Sequence, residues 1–484
     1  MKAVFLKPYI GKHGKNIVRD FVYGCWCNGK RIGGMQMPPL AELYAATHVR
    51  QDEVEPVMLD AQIQPGEYEK LINSRFDGVM AVAVMSSTQS FRNDVKTLEQ
   101  IKGVNPTVKT ILFGSHPTFM PEYCLREPAV DFIVMREPEE SLRVLMGAIR
   151  DWKSVEGMAG VGYKVVNGQP KIGPARQFLS MDDLPIPDRS LLPKGVDYFN
   201  PVVRRLPYTT MQTSRGCPAR CIFCTAPTFF GNKARARSVE KTLEEIREVK
   251  RLGYREIFFR DETFTAYKKR NTEICEGMLS ENLDMSWIAN GRVDMIDREQ
   301  MELMKKAGCH MLKFGVETGS EELLKSYNKG TTIEQAQRAF RYAREVGIDA
   351  HAHIIFGGAG ETLDTIKNTI DFVIDLEPFT ASFGIVTPYP GTELFDSVAH
   401  LHPEILDGSD SNMDNLHTMG FFSESICGIP GDELSRRIVQ AYRKFYMRPA
   451  YLLKRLFKIR SADELVVQLI AGMNIFQFAA TGEK

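Results

Sequence analysis

Residues 213–227 read TSRGCPARCIFCTAP, and Cys217, Cys221 and Cys224 fall within eight residues at C-x3-C-x2-C spacing. Three thiols do not complete a tetrahedral zinc site, which takes four ligands. A disulfide framework wants an even count and an oxidising compartment. Three thiolates can instead hold three irons of a 4Fe–4S cluster and leave the fourth iron open to a substrate or cofactor. A zinc site completed by a distant histidine, or three unrelated thiols, are the competing readings. Of the other cysteines, Cys25 and Cys27 flank Trp26 and are too few for a second cluster. Cys124, Cys275, Cys309 and Cys427 have no partner spacing and read as core residues.

The elements that must position these thiols come in two series. KAVFL (2–6), VEPVMLD (54–60), DGVMAVAV (77–84), VKTILFG (108–114) and DFIVM (131–135) are short apolar runs with helical patterns between them. Continuous runs of this kind suit strands buried on both faces of a parallel sheet. Residues 1–150 therefore read as a doubly wound α/β domain. Residues 151–205 are rich in Gly and Pro and read as a connector, with a small hairpin at VGYKVVNGQPKIG (161–173). From 206 to 400 six further strand runs alternate with well-patterned helices that end at glycines. Six βα units make a full or partial parallel barrel with its chemistry at the carboxyl ends of the strands. The thiols follow directly on the first of these strands, at that rim. Residues 401–484 read as a helical, basic region.

At this point the sequence resembles the radical S-adenosylmethionine (SAM) superfamily, whose signature is this cysteine spacing after the first strand of a (β/α)6 barrel. FFRDETFT (258–265), NGRVD (290–294), FGVETGSEELLKSYNKGTT (314–332), IIFGGAGET (354–362) and TPYPGTELF (387–395) resemble the family's later strand ends, in the family's order. The resemblance implies that Cys217, Cys221 and Cys224 hold a 4Fe–4S cluster whose open iron binds SAM. Phe223 would lie near the adenine, Arg292 at the SAM carboxylate, Glu317 at its polar end, and the Gly357–Gly358 turn close by. One electron from the reduced cluster then breaks a C–S bond of SAM and yields a 5′-deoxyadenosyl radical; a low-potential donor such as flavodoxin or ferredoxin would supply it. His351 and His353 alternate on the fifth strand and face one side. They read either as a polar pair near substrate or as hydrogen-bonded interior histidines.

A doubly wound sheet ahead of such a barrel is similar to the cobalamin-binding radical SAM subgroup, through MPPLAELYAA (37–46), ILFGSHPTFMPE (111–122) and FIVMREPEESL (132–142). A corrin ring would rest on the loops after the strands: Ser86, Thr88 and Gln89 in MSSTQ; Gly114, Ser115 and His116 in GSHPT; Glu137 and Glu139 in REPEE. No D-x-H-x-x-G motif occurs in this domain, so His116 is not assigned to cobalt. Arg136-Glu137-Pro138-Glu139 stands where the family has a Gly-Glu-Gly-Glu turn.

The implied function is modification of an unactivated carbon by C-methylation or oxidative cyclisation of a lipid, tetrapyrrole or other small molecule. The tail resembles that of the branch holding the anaerobic magnesium-protoporphyrin monomethyl ester cyclase and hopanoid-pathway enzymes. A methylthiotransferase acting on tRNA or protein would need a second cysteine triad, and a non-catalytic cobalamin sensor would not need the first. Lys+Arg and Asp+Glu are both 61 in 484 residues, so global charge does not point to nucleic acid. No secretory signal opens the chain and the cysteines are sparse, which implies a reducing cytoplasm. Residues 436–460 hold nine basic and no acidic residues, and the stretch 465–480 is apolar but broken by polar residues. The basic tail reads either as a peripheral contact with the inner membrane surface, with Tyr442, Phe445, Tyr446 and Tyr451 at the interface, or as helices packed on the barrel.

Overall fold

A computed structural model describes residues 1–8, 35–196, 198–231, 233–407, 420, 422–459 and 462–482. Cys25 and Cys27 lie outside the described residues.

The five apolar runs of the first series form β1 (Lys2–Lys7), β2 (Glu55–Asp60), β3 (Val79–Met85), β4 (Lys109–Phe113) and β5 (Phe132–Val134). They pair in parallel in the order β2-β1-β3-β4-β5. Alternate side chains feed two cores. Val4, Leu6, Val82 and Val84 point to one face, and Ala3, Phe5, Ala81 and Ala83 to the other. The chain leaves β1 for β2 and then crosses back to β3, so the topological switch lies between β1 and β3, where ligands of doubly wound sheets sit. The hairpin forms as β6 (Val161–Lys164) and β7 (Pro170–Ile172), and it pairs antiparallel with the outer edge of β5. Gly162 permits this approach, because a Cβ there would fall 2.6 Å from Ile133 Cγ1.

The second series opens with β8 (Tyr208–Met211) and a short ribbon of β9 (Ser214–Arg215) and β10 (Arg235–Ala236). It continues through β11 (Glu256–Phe259), β12 (Ser286–Gly291), β13 (Cys309–Glu317), β14 (Asp349–Phe356) and β15 (Thr380–Ile385). The six main strands are parallel and pair in chain order from β8 through β11 to β15. The barrel is open between β8 and β15. Its helices bury one face on the strands, and two of them start on reciprocal caps at Thr332 and Thr362.

Both open edges are covered, as free strand edges need to be. Along β15, Tyr446 OH donates to Ala381 O (2.6 Å) and accepts from Ala381 N (3.0 Å). Beside β8, Arg189 from the connector donates to Thr210 O (3.0 Å). Arg189 and Arg237 also share the buried Glu245 at 2.7 and 2.6 Å, which locks the connector to the barrel.

The tail packs as helices. Tyr442, Phe445 and Tyr446 of the helix Gly431–Tyr446 are buried against the barrel, and Tyr451 OH donates to Phe379 O (3.0 Å). These four aromatics therefore do not form an interfacial surface: three are buried, and the Tyr446 and Tyr451 hydroxyls bond Ala381 and Phe379. The last helix, Ala462–Thr481, buries Val467, Phe478 and Ala479. By length and composition, its stretch Glu464–Thr481 could cross a membrane.

Candidate active site

The cysteine loop hangs from the β9–β10 ribbon, and the residues after β11 hold its root. Asp261 accepts from Thr213 N (2.6 Å), Thr213 Oγ1 (2.6 Å) and Ser214 Oγ (2.7 Å). Glu262 accepts from Gly216 N (2.9 Å), and Cys217 Sγ lies 3.2 Å from Thr263 Oγ1. Burial, with Asp261 adjacent, pushes the Glu262 carboxyl up to about 8. Farther along, Ile222 N donates to Tyr327 O (3.1 Å) and Leu394 N to Ile222 O (3.0 Å), which pins the loop to the C-cap of the helix Glu321–Ser326 and the first turn of the helix Glu393–Leu401.

The three thiols are free and face one cavity of about 1440 Å³. Among the described residues no three His, Cys, Asp or Glu side chains converge on a single-ion position. Three thiols on one cavity are the donor set of a cluster with one iron left open, and are one ligand short of a closed zinc site. Burial pushes the Cys224 thiol up to about 12 and raises Cys221. Iron must therefore displace protons from these sulfurs when it binds.

Around the thiols the same cavity is lined by Phe223, Asn290, Arg292, Glu317 and Lys329. The Phe223 ring meets Tyr327 edge-on at 5.6 Å. Arg292 is held by Asp294 (3.0 and 3.1 Å) and by Lys329 O (2.8 Å). Glu317 takes a positive φ of 68° at the end of β13, and its Oε1 lies 2.5 Å from Lys329 Nζ. Such backbone conformations cost of order 1–3 kcal/mol and concentrate at functional sites. A Cβ on Gly315 would fall 2.3 Å from Glu317 Oε1 and 2.8 Å from Lys329 Nζ, so glycine leaves the room this pair occupies. These features fit a site for a small zwitterion beside the thiols.

Gly357 and Gly358 lie behind the wall rather than in it. A Cβ on Gly358 would sit 2.0 Å from Tyr327 Cε1, and one on Gly357 2.7 Å from Leu434 Cδ1. The turn thus backs the Tyr327 ring, which in turn meets Phe223. His351 and His353 satisfy both sequence readings. They bond Thr380 (2.7 Å) and Ser382 (3.2 and 2.8 Å), and both line the cavity. Sequence reading missed Lys329, Lys313 and Arg260. The available signal for Arg260 was its position two residues after Phe258, just past the end of β11, which keeps it on the same inward face.

At the carboxyl ends of β3 and β4 the polar loops come together. Ser86 N donates to Phe113 O (2.7 Å) and His116 N to Ser86 O (3.3 Å). Gly114 has φ of 112°, and a Cβ there would lie 2.6 Å from Ser86 O. His116 Nδ1 lies 3.2 Å from Thr88 Oγ1, and its ring packs on Phe91 at 4.6 Å. Burial, then Arg92, lowers this imidazole to about 3, so it is neutral. Gln89 Nε2 donates to Tyr389 OH (2.7 Å) and so joins this loop to the barrel. Ser86 Oγ, Gln89 Oε1 and His116 Nε2 are buried without partners among the described residues. Orphaned buried polar atoms are costly, and a ligand edged with amides, as a corrin ring is, would satisfy them.

Glu137 and Glu139 are placed elsewhere. Arg215, fully buried, reaches Glu137 (2.9 Å) and Glu139 (2.5 Å), and Arg235 also pairs with Glu137. Two buried carboxylates need cations, and the residues beside the cysteine loop supply them. The pair therefore joins the two domains instead of facing a corrin.

Residues 211–373 match the radical SAM superfamily model, and residues 33–146 match the B12 binding domain model. The chain is 32% identical to the uncharacterized methyltransferase PH0819 of Pyrococcus horikoshii, across 89% of this chain and 92% of that one. It is 29% identical to the anaerobic magnesium-protoporphyrin IX monomethyl ester cyclase of Rubrivivax gelatinosus, across 79% of this chain and 68% of that one. Its fold is shared by the radical SAM methyltransferase TsrM of Kitasatospora setae, solved with cobalamin and a [4Fe-4S] cluster; the TM-score is 0.71 at 15% identity, covering 100% of this chain and 99% of that one.

A B12-type sheet joined to a radical SAM barrel defines a class of cobalamin- and SAM-dependent enzymes. This chain belongs to the cobalamin-binding radical SAM family. It is an enzyme of that family, and its cofactors are SAM, a 4Fe–4S cluster and cobalamin.

Proposed function

We propose that the enzyme C-methylates an unactivated carbon of an apolar small molecule of lipid or tetrapyrrole type. The observation that carries this reading is one continuous cavity. It starts at the thiols and runs through the barrel to Leu452, Leu456, Leu469 and Phe476 on the C-terminal helices. Such a wall suits a large apolar body. Oxidative cyclisation is the second reading, favoured by the likeness to the magnesium-protoporphyrin cyclase.

Cys217, Cys221 and Cys224 hold the cluster, and Phe223, Arg292, Glu317 and Lys329 seat SAM. Ser86, Thr88, Gln89, Gly114, Ser115 and His116 seat cobalamin. When bound, the cluster supplies the electron that breaks SAM and cobalamin supplies the methyl group. Arg292 and Lys329 orient the carboxylate and Glu317 the amino group, while the apolar wall keeps water from the reacting carbon. A low-potential donor of flavodoxin or ferredoxin type delivers the electron. Reduced anaerobically with SAM and cobalamin, the protein is expected to release 5′-deoxyadenosine and S-adenosylhomocysteine. 5′-Deoxyadenosine alone would favour cyclisation, and neither product would remove both readings.

The enzyme is cytoplasmic in this reading and docks on the inner membrane surface. Leu453 and Phe457 (85% exposed), and on the last helix Val466 and Met473 (71% exposed), are exposed apolar side chains. Lys458 is already paired with Asp349 (2.7 Å) and Lys454 with Glu377 (3.5 Å), so these apolar side chains carry more of the contact than charge does. Sedimentation with anionic lipid vesicles at low salt should carry the protein down, and Phe457→Asp with Met473→Asp should release it. Protein that stays in the supernatant rules the docking out.

A further inference from the structure

Among the described residues, five glycines line the large cavity: Gly291, Gly315, Gly384, Gly472 and Gly482. Packing or backbone geometry accounts for three of them. A Cβ on Gly291 would lie 2.9 Å from Thr265 Cγ2, and one on Gly315 2.3 Å from Glu317 Oε1. Gly482 takes a φ of 75° just past the last helix. Gly384 and Gly472 have neither reason. Their strand and helix conformations are open to any residue, and a Cβ on either would meet no described atom within 4 Å.

Glycine weakens the interiors of strands and helices alike. Gly384 nevertheless lies inside β15, and Gly472 in the middle of the helix Ala462–Thr481. Neither marks a break. β14 and β15 stay in register from His351 opposite Thr380 to Phe356 opposite Ile385, so Gly384 is not at a bulge. The last helix runs unbroken through Gly472 for 20 residues. An interior glycine without a turn, bulge or close neighbour is expected where a ligand comes up against the backbone.

The walls that carry these glycines are fixed. Thr380, Ser382 and Gly384 share the inner face of β15. The first two bond His351 and His353. Gly384, one step nearer the rim where the thiols stand, leaves its level bare. Tyr442 of the helix Gly431–Tyr446 spans the two walls, with its ring 5.4 Å from Phe383 of β15 and 5.1 Å from Phe478 of the last helix. Arg443 of the same helix donates to Ala479 O and, at 2.9 Å, to Ala480 O. The space between the walls belongs to a cavity of about 1440 Å³, above the roughly 300–1,000 Å³ of ordinary small-molecule pockets.

We infer that Gly384 and Gly472 set the width of the substrate channel and admit a rigid ring system broader than a single alkyl chain. This narrows the substrate class of the proposed reaction and rests on the reading of the cavity as the substrate site. A flexible chain bends round an added side chain, and a rigid ring system does not.

Equilibrium dialysis of the full-length holoenzyme against protoporphyrin IX and cis-parinaric acid tests this. Both probes are apolar carboxylic acids, one a broad macrocycle and the other a slim chain. Wild-type protein is expected to bind the macrocycle. Gly384→Leu and Gly472→Leu should each weaken that binding at least roughly tenfold and shift cis-parinaric acid by less than about twofold, since overpacking penalises only the body that fills the width. The urea midpoint of unfolding should not fall in either variant, because the new side chain enters open space. Wild-type protein that does not bind protoporphyrin IX overturns the proposal. So do wild-type affinity in either variant, an equal loss of both probes, or a lowered unfolding midpoint. Dialysis needs no turnover, so a failed width test leaves methyl transfer standing, and missing reaction products leave the width standing.

Discussion

Cys221→Ala should abolish the broad visible absorbance of the reconstituted protein and remove SAM cleavage. The loss should exceed the roughly 10–100-fold that second-shell changes cost at metal centres, because a direct ligand is removed. Among the described residues Cys217, Cys221 and Cys224 are the cysteines that line the cavity. Cys309 and Cys275 are buried in the barrel core, well inside the helical layer. The loop itself should survive, because its anchors are backbone groups of Ile222 and Gly216 and the side chains of Asp261 and Glu262. The variant should thus unfold at nearly the same denaturant concentration as wild-type protein without the cluster. Retained absorbance and activity would show that the sulfur is not a ligand.

Arg215→Met should cost about 3–5 kcal/mol, the range for removing one partner of a buried ion pair. Arg215 is fully buried and reaches Glu137, Glu139 and Gln212 Oε1 (3.0 Å), with its guanidinium 5.4 Å from the Tyr44 ring. Methionine keeps the stem and leaves Glu139 buried without a cation. The residue also precedes Gly216 and Cys217, so the two domains should loosen where the cobalamin sheet meets the cysteine loop. Urea unfolding would read the cost. Adding Glu139→Gln should recover part of it, with a coupling of about 0.5–3 kcal/mol. Strictly additive effects would contradict the pair.

The strands were legible because buried parallel strands are short continuous apolar runs, and both sheets are built from them. The cysteine loop was legible from spacing alone, and the polar loops after β3 and β4 from their place at carboxyl strand ends. Glu137 and Glu139 were misplaced because their cations lie 76 or more residues away and meet them only across the domain junction. The aromatic tail was ambiguous for a related reason. Tyr442, Phe445 and Tyr446 share a helical face, but periodicity does not say whether water, lipid or a strand edge covers it. β15 does. Lys313 became a site residue only through register, which sets the inward face and the level of each strand in the barrel, and Lys329 only through the turn after the helix Glu321–Ser326 that brings it back to Glu317.

The central claim is that one iron at the three-cysteine loop is open to SAM. Mössbauer spectra of iron-57 protein, recorded before and after SAM is added anaerobically, test it most directly. One iron of the cluster should change its isomer shift on adding SAM while the other three keep theirs. Spectra that are indifferent to SAM, or a loop that takes up zinc and no sulfide, would contradict it.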